Sequence, residues 1–538
     1  MKRFAIAALV ALLAWTLGGC SRGGSSAPGS EAPRSADLTV LSGSENKSLE
    51  PILQRFGERN GMNVRMEYLG SVDIMLQLED GAASYDAVWP ANSLWVDLGD
   101  KGRRVKHQAS IMRSPVVFGV KKSVAQRLGW IGKDVTVGQI LREAEAGKLH
   151  FMMTSATQSN SGASAYLGYL SAFAGHPEIL TRAHLQDPKL RDRIRRLLGS
   201  VNRSAGSSGW LKDLFLQKYD QYDAMVNYEA LVIEANRELA ARGREPLYAI
   251  YPVDGLAIAD SPLGYVDHGD PEKEKRFQKL QEYLLLPEVQ QEILATGRRV
   301  GLAGMGMKSV DKAIFNPEWG INVDRVLNPI RFPQAEVIRE ALDLYQTAFR
   351  KPSLTAYCLD FSGSMQGKGS NDVKAAMRLL LNQQQARRYL LQASPDDISL
   401  VIPFSGTPMA HWSATGNNPQ TLGTLLAQID ALQPNGGTDI YTPIIQALEA
   451  FHAKPNLDHY FPAVILMTDG LSNTGATMAD LQRRVQELRP QRDIPVFAIL
   501  FGDASEEQLQ QIAAYTSGRI FDGRKDLIQA FRDARGYN

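Results

Sequence analysis

The sequence predicts an α/β chain with more than one folded unit, and three observations support this. Short strand-like runs alternate with helical patterns, as at residues 38–41, 63–69 and 85–89, and such alternation favours mainly parallel sheets. The runs at 463–467 and 495–501 are almost continuously apolar, which predicts strands buried on both faces of a doubly wound sheet. A chain of 538 residues also exceeds what a single hydrophobic core normally holds.

The N-terminus has the pattern of a secretion signal. Lys2 and Arg3 precede an apolar stretch over residues 4–17, which has signal-peptide length and is short for a membrane span. Small residues then precede Cys20, and this resembles the bacterial lipobox. The resemblance implies a lipoprotein signal peptide over 1–19, a diacylated Cys20 and a location on the periplasmic side of the envelope, with the outer membrane favoured over the inner. An ordinary secretory signal with an incidental cysteine is the alternative.

Composition limits the remaining possibilities. Residues 20–36 are rich in Gly, Ser and Pro and are predicted to form a flexible linker. If Cys20 carries lipid, Cys358, the other cysteine of the sequence, has no partner for a disulfide. The formal net charge of +1 indicates no basic surface for nucleic acid.

Residues 37–329 are predicted to form one domain of two α/β lobes, with crossings between the lobes at 115–120 and 247–253. The order of elements resembles that of bacterial periplasmic solute-binding proteins of the two-lobed, molybdate- and phosphate-like group. The stretches that carry this resemblance are 85–95, 151–164 and 251–259. It implies a small solute held between the lobes.

Polar loops before predicted helices supply the candidate solute contacts, since helix N-termini offer free N–H groups and a positive dipole end to anions. The resemblance to anion binders places ligand contacts at Ser44, Ser71 and Ser161, with Tyr228 and Glu229 as further candidates. Glu229 departs from that pattern because a carboxylate repels an oxyanion. The solute is therefore expected to be cationic or zwitterionic, or the pocket is lost. Helix capping without any ligand is the alternative.

A second domain is predicted over residues 353–538, after a helical connector at 330–352. The connector helix covers 335–349, and the proline that follows it limits its continuation. In the second domain the predicted strands are 354–359, 397–404, 463–467 and 495–501, and the predicted helices are 373–391, 422–432, 441–451 and 526–534.

Five oxygen-bearing side chains stand at or near the ends of apolar runs in this domain. Asp360, Ser362 and Ser364 belong to one Asp-Phe-Ser-Gly-Ser segment, Thr438 follows two glycines, and Asp469 ends an apolar run. Binding loops collect at the strand ends of an open α/β sheet, and oxygen ligands suit a hard divalent cation. The set resembles the metal-ion-dependent adhesion site of von Willebrand factor A (VWA) domains, with all five family positions filled.

The VWA resemblance implies a doubly wound, Rossmann-like domain that holds Mg²⁺, with Mn²⁺ and Ca²⁺ as open alternatives. It implies direct ligation by Ser362 and Ser364, an open role for Thr438, and ligation by Asp360 and Asp469 partly through water. A protein partner would then offer an Asp or Glu side chain to the metal. The alternative is that these residues only cap turns and helices.

The sequence as a whole predicts a cell-envelope lipoprotein that binds a protein partner through its metal site and a small solute between its lobes. A solute receptor for an ABC-type transporter, with an accessory VWA domain, is the alternative. An enzyme is not expected, because the sequence has no His-Glu-x-x-His, phosphate-loop or Gly-x-Ser-x-Gly motif.

Overall fold

The computed structural model of the chain describes residues 37–536, without residues 83, 302–309, 489–493, 501, 503–505 and 525. The predicted signal peptide, Cys20 and the linker over 20–36 lie outside the described residues. No helix in the described part of the chain combines the length and the apolar character needed to cross a membrane.

The first lobe of the N-terminal domain contains a five-stranded mixed sheet. Its strands are β1 (Leu38–Gly43), β2 (Val64–Leu69), β3 (Ala87–Trp89), β4 (Val105–Ser110) and β11 (Pro262–Val266). They lie in the order β2-β1-β3-β11-β4, with β11 antiparallel to both of its neighbours. The helices of this lobe are α1 (Glu50–Asn60), α2 (Ser71–Glu79), α3 (Leu94–Gly99), α11 (Pro271–Leu284) and α12 (Pro287–Ala295).

The second lobe contains a six-stranded sheet. Its strands are β5 (Ser114–Lys121), β6 (Phe151–Thr154), β7 (Val201–Ala205), β8 (Ala224–Tyr228), β9 (Leu247–Ile250) and β10 (Ile258–Ala259). The order is β10-β5-β8-β6-β7, and β9 also pairs with β5. The helices are α4 (Lys122–Arg127), α5 (Val137–Glu145), α6 (Asn160–Phe173), α7 (Arg182–Gln186), α8 (Pro188–Gly199), α9 (Ser208–Gln217) and α10 (Glu229–Ala241).

The predicted positions of the two lobe crossings are wrong. Residues 115–120 lie within β5, and residues 247–250 form β9, its antiparallel partner in the second lobe. The chain passes between the lobes just before β5, at 111–113, and just after β10, at 260–261. The prediction failed because the apolar composition of β5 and β9 suits paired strands within one lobe as well as strands that cross between lobes.

The connector and the C-terminal domain follow. The connector is α13 (Ala335–Leu344), which runs into a π-helical turn, Tyr345–Phe349. The strands of the domain are β12 (Ser353–Asp360), β13 (Ile398–Phe404), β14 (Trp412–Thr415), β15 (Phe461–Thr468), β16 (Val496–Leu500) and β17 (Arg519–Asp522). Its helices are α14 (Lys368–Leu381), α15 (Gln383–Arg388), α16 (Pro419–Asp430), α17 (Tyr441–His452), α18 (Met478–Leu488), α19 (Glu506–Tyr515) and α20 (Leu527–Gly536).

This C-terminal sheet has the order β14-β13-β12-β15-β16-β17 and is parallel except for the edge strand β14. Every residue of the central strands β12 and β15 is buried, and for β15 the apolar run at 463–467 predicts this. The single helix predicted over 373–391 is wrong. Asn382 separates α14 from α15 because its Oδ1 accepts hydrogen bonds from the N–H groups of Gln384 and Gln385, at 3.1 and 3.2 Å.

The last helix, α20, joins the C-terminal domain to both lobes. Arg532 Nη2 donates to Asp73 Oδ1 of the first lobe at 2.6 Å, and both side chains are buried. Gln158 of the second lobe donates through Nε2 to the carbonyl oxygen of Arg532 at 2.7 Å. We call the contact of Asp73, Gln158 and Arg532 the junction.

Candidate functional site

The five residues predicted to hold a metal lie together at one edge of the C-terminal sheet. Asp360 is the last residue of β12, and Asp469 directly follows β15. These strands are parallel neighbours, so their carboxyl ends meet. Ser362 and Ser364 lie in the loop after β12, and Thr438 lies in the loop before α17.

The hydroxyl and carboxylate oxygens of this set are close to one another. Ser362 Oγ lies 3.1 Å from Ser364 Oγ, and Ser364 Oγ donates to Asp469 Oδ1 at 2.9 Å. A β-carbon placed on Gly470 would lie 3.3 Å from Thr438 Oγ1 and 3.5 Å from Ser364 Oγ. The Thr438 hydroxyl therefore borders the same hollow as Ser364, and a glycine at 470 keeps that hollow open.

Backbone contacts between the loops hold this arrangement. The N–H of Gly363 donates to the carbonyl oxygen of Gly436 at 3.0 Å, and Gly436 has a φ of +73°, which glycine adopts without strain. The N–H of Thr438 donates to Asn473 Oδ1 at 3.0 Å. The loops that carry the Ser pair, Thr438 and Asp469 are thus tied to one another.

Asp360 is buried and has two hydrogen bonds. Its Oδ1 accepts from the N–H of Ser362 at 2.7 Å, and its Oδ2 accepts from Thr468 Oγ1 at 2.6 Å. Burial raises the pKa of Asp360 above its ordinary value, these hydrogen bonds oppose the rise, and the charge of Asp469 adds to it. A divalent cation alongside would favour the ionised form.

Sequence reasoning missed two supporting residues of this site, Thr468 and Asn473. Thr468 immediately precedes Asp469, and a polar residue at the end of an apolar strand was the available signal. Asn473 lies four residues after Asp469 in a polar loop whose composition does not distinguish it from its neighbours.

The donor set fits a hard divalent cation. No three His, Cys, Asp or Glu side chains of the described residues group as a metal site, so a metal here depends on hydroxyl ligands as well as two carboxylates. Neighbouring oxygens around octahedral Mg²⁺ lie about 3 Å apart. The separations of 3.1 and 2.9 Å about Ser364 Oγ match that spacing, and Ser364 is exposed, which leaves the position open to a partner.

The predicted solute-contact serines have protein partners at or near the interface between the lobes. Ser44 Oγ accepts from the N–H of Gly209 at 3.1 Å, a hydrogen bond that joins the two lobes. Ser71 Oγ accepts from the N–H of Ala91 at 3.0 Å. Ser161 Oγ lies 2.8 Å from each of two other hydroxyl groups. These contacts hold the loops in place without a solute.

Tyr228 and Glu229 are also buried among protein partners. Tyr228 accepts through its hydroxyl oxygen from Asn160 Nδ2 at 3.0 Å. The Glu229 carboxylate accepts two hydrogen bonds from Arg299, both at 2.7 Å, and a third from the Tyr251 hydroxyl. The negative charge of Glu229, which was expected to repel an anionic solute, is thus neutralised by Arg299. A role of the five residues in solute binding stays a prediction.

A cavity of about 220 Å³ lies beside Ser44, between the lobes. Its walls come from both lobes and also from the C-terminal domain. The lobes contribute Ser44, Lys47, Asp73, Gln158, Ser207 and Trp210, and the C-terminal domain contributes Arg519, Phe521 and Asp533. Burial raises the pKa of Asp533 to about 6. The sequence did not predict that the C-terminal domain would line this cavity, because a local pattern does not show which surface another domain will cover.

Comparison with known families supports the division into two parts. Residues 38–299 match the family described as bacterial extracellular solute-binding protein, and residues 356–529 match the von Willebrand factor type A domain. The chain combines a solute-binding domain with a VWA domain. No curated protein matches the chain.

Several solved structures are similar to one or the other part of this chain. A periplasmic thiamin binding protein shares 11% identity over 56% of this chain and 91% of that chain, with a TM-score of 0.43. The periplasmic binding protein AfuA from Actinobacillus pleuropneumoniae, with fructose-6-phosphate bound, shares 11% identity over 52% of this chain and 89% of that chain, with a TM-score of 0.40. A von Willebrand factor type A structure from Catenulispora acidiphila shares 21% identity over 36% of this chain and 44% of that chain, with a TM-score of 0.29.

The family matches confirm the predicted α/β class and both predicted domain types. The solute-binding match is to an extracellular family, in agreement with the predicted side of the membrane. The lipid anchor, the metal, the solute and the partner stay predictions.

Proposed function

We propose that the VWA domain binds a protein partner through a divalent metal ion, with Mg²⁺ as the first candidate. Asp360, Ser362, Ser364, Thr438 and Asp469 would hold the ion. The spacing of about 3 Å between Ser364 Oγ and its oxygen neighbours supports this most directly, because it suits octahedral coordination. An Asp or Glu side chain of the partner would take an exchangeable position on the ion.

The same arrangement favours adhesion over catalysis. Each acidic or hydroxyl group of the set would be occupied as a ligand of the metal or as a support for one, as Thr468 supports Asp360. This leaves none of them free to act as a general base or a nucleophile. We therefore propose a binding protein without enzymatic activity.

Direct metal binding tests this proposal. Mn²⁺ titrated into the full chain and followed by electron paramagnetic resonance is expected to bind at one site and to be displaced by Mg²⁺. Asp469→Asn removes one of the two carboxylates and is expected to weaken binding at least about tenfold, since a lost charged ligand exceeds 1.4 kcal/mol. Asp192→Asn, at an exposed position of α8, changes the net charge equally and should leave binding intact. Equal affinity of both variants would contradict the proposal.

Partner binding requires a second experiment. The full chain is expected to capture an envelope protein with an acidic contact surface in Mg²⁺ but not in EDTA. Thr438→Ala keeps both carboxylates and is expected to reduce capture. Capture that is equal in EDTA, or unchanged by Thr438→Ala, would show that the partner binds elsewhere.

A second candidate function is reception of a solute for an ABC-type transporter. The cavity of about 220 Å³ between the lobes supports it, because small-solute sites are concave and carry a few convergent polar groups. A thermal-shift screen of cationic and zwitterionic solutes on the full chain is expected to yield a stabilising compound. A screen without any hit, together with no loss of solute uptake on deletion of the gene, would remove this candidate.

We also propose that a lipid on Cys20 anchors the protein to the periplasmic side of the envelope, and that the outer membrane is the site. The sequence pattern around Cys20 supports this. Radioactive palmitate fed to cells is expected to label the unmodified chain but not Cys20→Ala, which lacks the sulfur that would carry the lipid. Equal labelling of the two would contradict lipid anchoring at this residue.

A further inference from the structure

A small cavity lies where the second lobe, the connector and the VWA domain meet. Its volume is about 50 Å³. Ser353, the first residue of β12, borders it, whereas the candidate metal centre lies at the other end of that strand. Three arginine side chains face the cavity, namely Arg350 at the end of the connector and Arg532 and Arg535 of α20. We call it the arginine cavity.

The arginine cavity borders buried polar atoms that have no protein partner. Within the described part of the chain, Arg350 Nε and Arg532 Nε donate to no protein atom, and Gln158 Oε1 accepts from none. The orientation of the Gln158 amide is fixed, because its Nε2 donates to the carbonyl oxygen of Arg532. Buried donors and acceptors are costly when unsatisfied, so a molecule or ion in the cavity that reaches these atoms would be stabilised there.

Charge selects an anion as that occupant. Arg350 forms two hydrogen bonds to the carboxylate of Asp397, and Arg532 pairs with Asp73 at 2.6 Å. Arg535 lies 3.6 Å from Asp397, which Arg350 already engages. Arg532 is also attracted by the charge of Asp533, but none of these three carboxylates borders the cavity, and no other Asp or Glu of the described residues does. The lining itself therefore carries arginine side chains and no acidic ones.

The size and the remaining lining agree with a small oxyanion. About 10–15 Å³ of such a volume holds one water, so a cavity of about 50 Å³ admits a group of about three to five heavy atoms. Ser155, Thr157 and Ser204 also line it, and Thr157 Oγ1 already donates to Gln346 Oε1 at 3.3 Å. Asp533, the acidic residue of α20, borders the interlobe cavity instead. The Nε–H groups of Arg350 and Arg532 are the donors left for an occupant, and hydrogen bonds from a guanidinium group to an oxyanion are charge-assisted.

We propose that the arginine cavity is a binding site for a small tetrahedral oxyanion, and that hydrogen phosphate suits it best. The phosphate oxygens accept from Arg350, Arg532 and Arg535. The P–OH group donates to Gln158 Oε1, which a fully ionised sulfate cannot do. Because Arg532 and Arg535 belong to α20 and Gln158 to the second lobe, the anion also joins the two domains. This site is separate from the proposed metal and solute sites.

The test is calorimetric titration of inorganic phosphate, and of sulfate in parallel, into the full chain with EDTA present. EDTA keeps phosphate from binding through a metal, so the result is independent of the proposed adhesion site. Phosphate is expected to bind at one site and sulfate more weakly. Arg535→Gln is expected to weaken phosphate at least about tenfold, as the loss of a charged hydrogen bond predicts.

Arg331→Gln is the matched control, because this arginine is 72% exposed and pairs with Glu178 away from the cavity. It should bind phosphate like the unmodified chain. If Arg535→Gln does not fold, as judged by circular dichroism, a crystal of the unmodified chain soaked in phosphate decides. Phosphate density against Arg532 and Arg535 would support the site. Waters alone in the cavity, no saturable binding, or unchanged affinity in Arg535→Gln would overturn it.

Discussion

Thr468 holds the buried carboxylate at the centre of the candidate metal site. Its hydroxyl donates to Asp360 Oδ2 at 2.6 Å. Thr468→Val keeps the shape and removes the donor, and is expected to lower the free energy of unfolding by about 1–3 kcal/mol because a buried carboxylate oxygen loses its partner. Urea unfolding measures the change. Thr468→Ser keeps the hydroxyl and should recover most of the loss, and equal stability of the Val variant would contradict this role.

Glu45 provides a pH test between the lobes. Its Oε1 is buried without a hydrogen-bond partner, and burial raises the pKa of Glu45 from 4.5 to about 7, with Arg298 in partial opposition. Between these two pH values the folded state keeps a proton on Glu45 that the unfolded state has lost. The contribution of the protonated carboxyl group to the free energy of unfolding is therefore full below pH 4.5 and is lost as the pH rises through about 7.

Glu45→Gln carries no charge at any pH. Relative to the unmodified chain, its free energy of unfolding is expected to rise between pH 4 and pH 8 by up to about 3 kcal/mol. Urea unfolding at several pH values measures the difference, with Asp192→Asn as the exposed control. Parallel pH profiles of Glu45→Gln and the unmodified chain would contradict a buried, ionisable Glu45.

At the residue scale, the sequence predicted oxygen donors better than it predicted their supports. Asp360 and Asp469 follow apolar strands, so their place at one sheet edge could be inferred. Thr468 could not be recognised, since its role depends on the register that brings it to Asp360. The burial of the Glu45 carboxylate could not be recognised either, because no local pattern shows which distant segments will cover a side chain.

At the element scale, Asn382 decides whether one helix or two follow the loop that carries Ser362 and Ser364. Its Oδ1 caps α15 through Gln384 and Gln385. Asn382→Ala is expected to cost about 1 kcal/mol of stability, the usual loss for an N-cap, with the metal affinity unchanged. Urea unfolding and Mn²⁺ titration measure the two quantities. Asn382→Asp keeps an acceptor and serves as the control, and a loss of metal affinity would contradict a purely structural cap.

The elements that could be predicted are those with a strong period or a continuous apolar run. The strands β12, β13, β15 and β16 were all predicted within two residues of their observed ends. The edge strands β14 (Trp412–Thr415) and β17 (Arg519–Asp522) were missed, because each has four residues and is partly exposed. Such strands owe their conformation to the neighbour they pair with rather than to their own sequence.

At the scale of the whole molecule, the junction is the feature that no local pattern predicted. Arg532 and Asp73 are separated by 459 positions, and neither α20 nor the largely buried α2 marks the pairing in its own sequence. This pair holds α20 of the VWA domain against the first lobe, and Gln158 holds it against the second. We expect a shift of α20 to be transmitted to the lobes through these contacts.

A double-mutant cycle measures that link. Arg532→Gln leaves the Asp73 carboxylate buried without a cation and is expected to cost about 3–5 kcal/mol, as does the loss of one partner from other buried ion pairs. Asp73→Asn leaves the arginine uncompensated and should also destabilise. The double variant replaces both charges by amides and is expected to lose less than the sum of the single changes.

Small-angle scattering shows whether loss of the Arg532–Asp73 pair separates the two domains or only destabilises α20. Arg532→Gln is expected to increase the radius of gyration and to expose the connector to protease, because the domains separate while each keeps its own core. The radius of gyration of the double variant should be closer to that of the unmodified chain. The control Arg331→Gln should have the same radius as the unmodified chain. Additive energies with an unchanged radius would mean that the pair stabilises α20 alone. The two domains would then be joined by the connector and the remaining contacts. A structural change caused by a solute between the lobes would not reach the candidate metal site through Arg532.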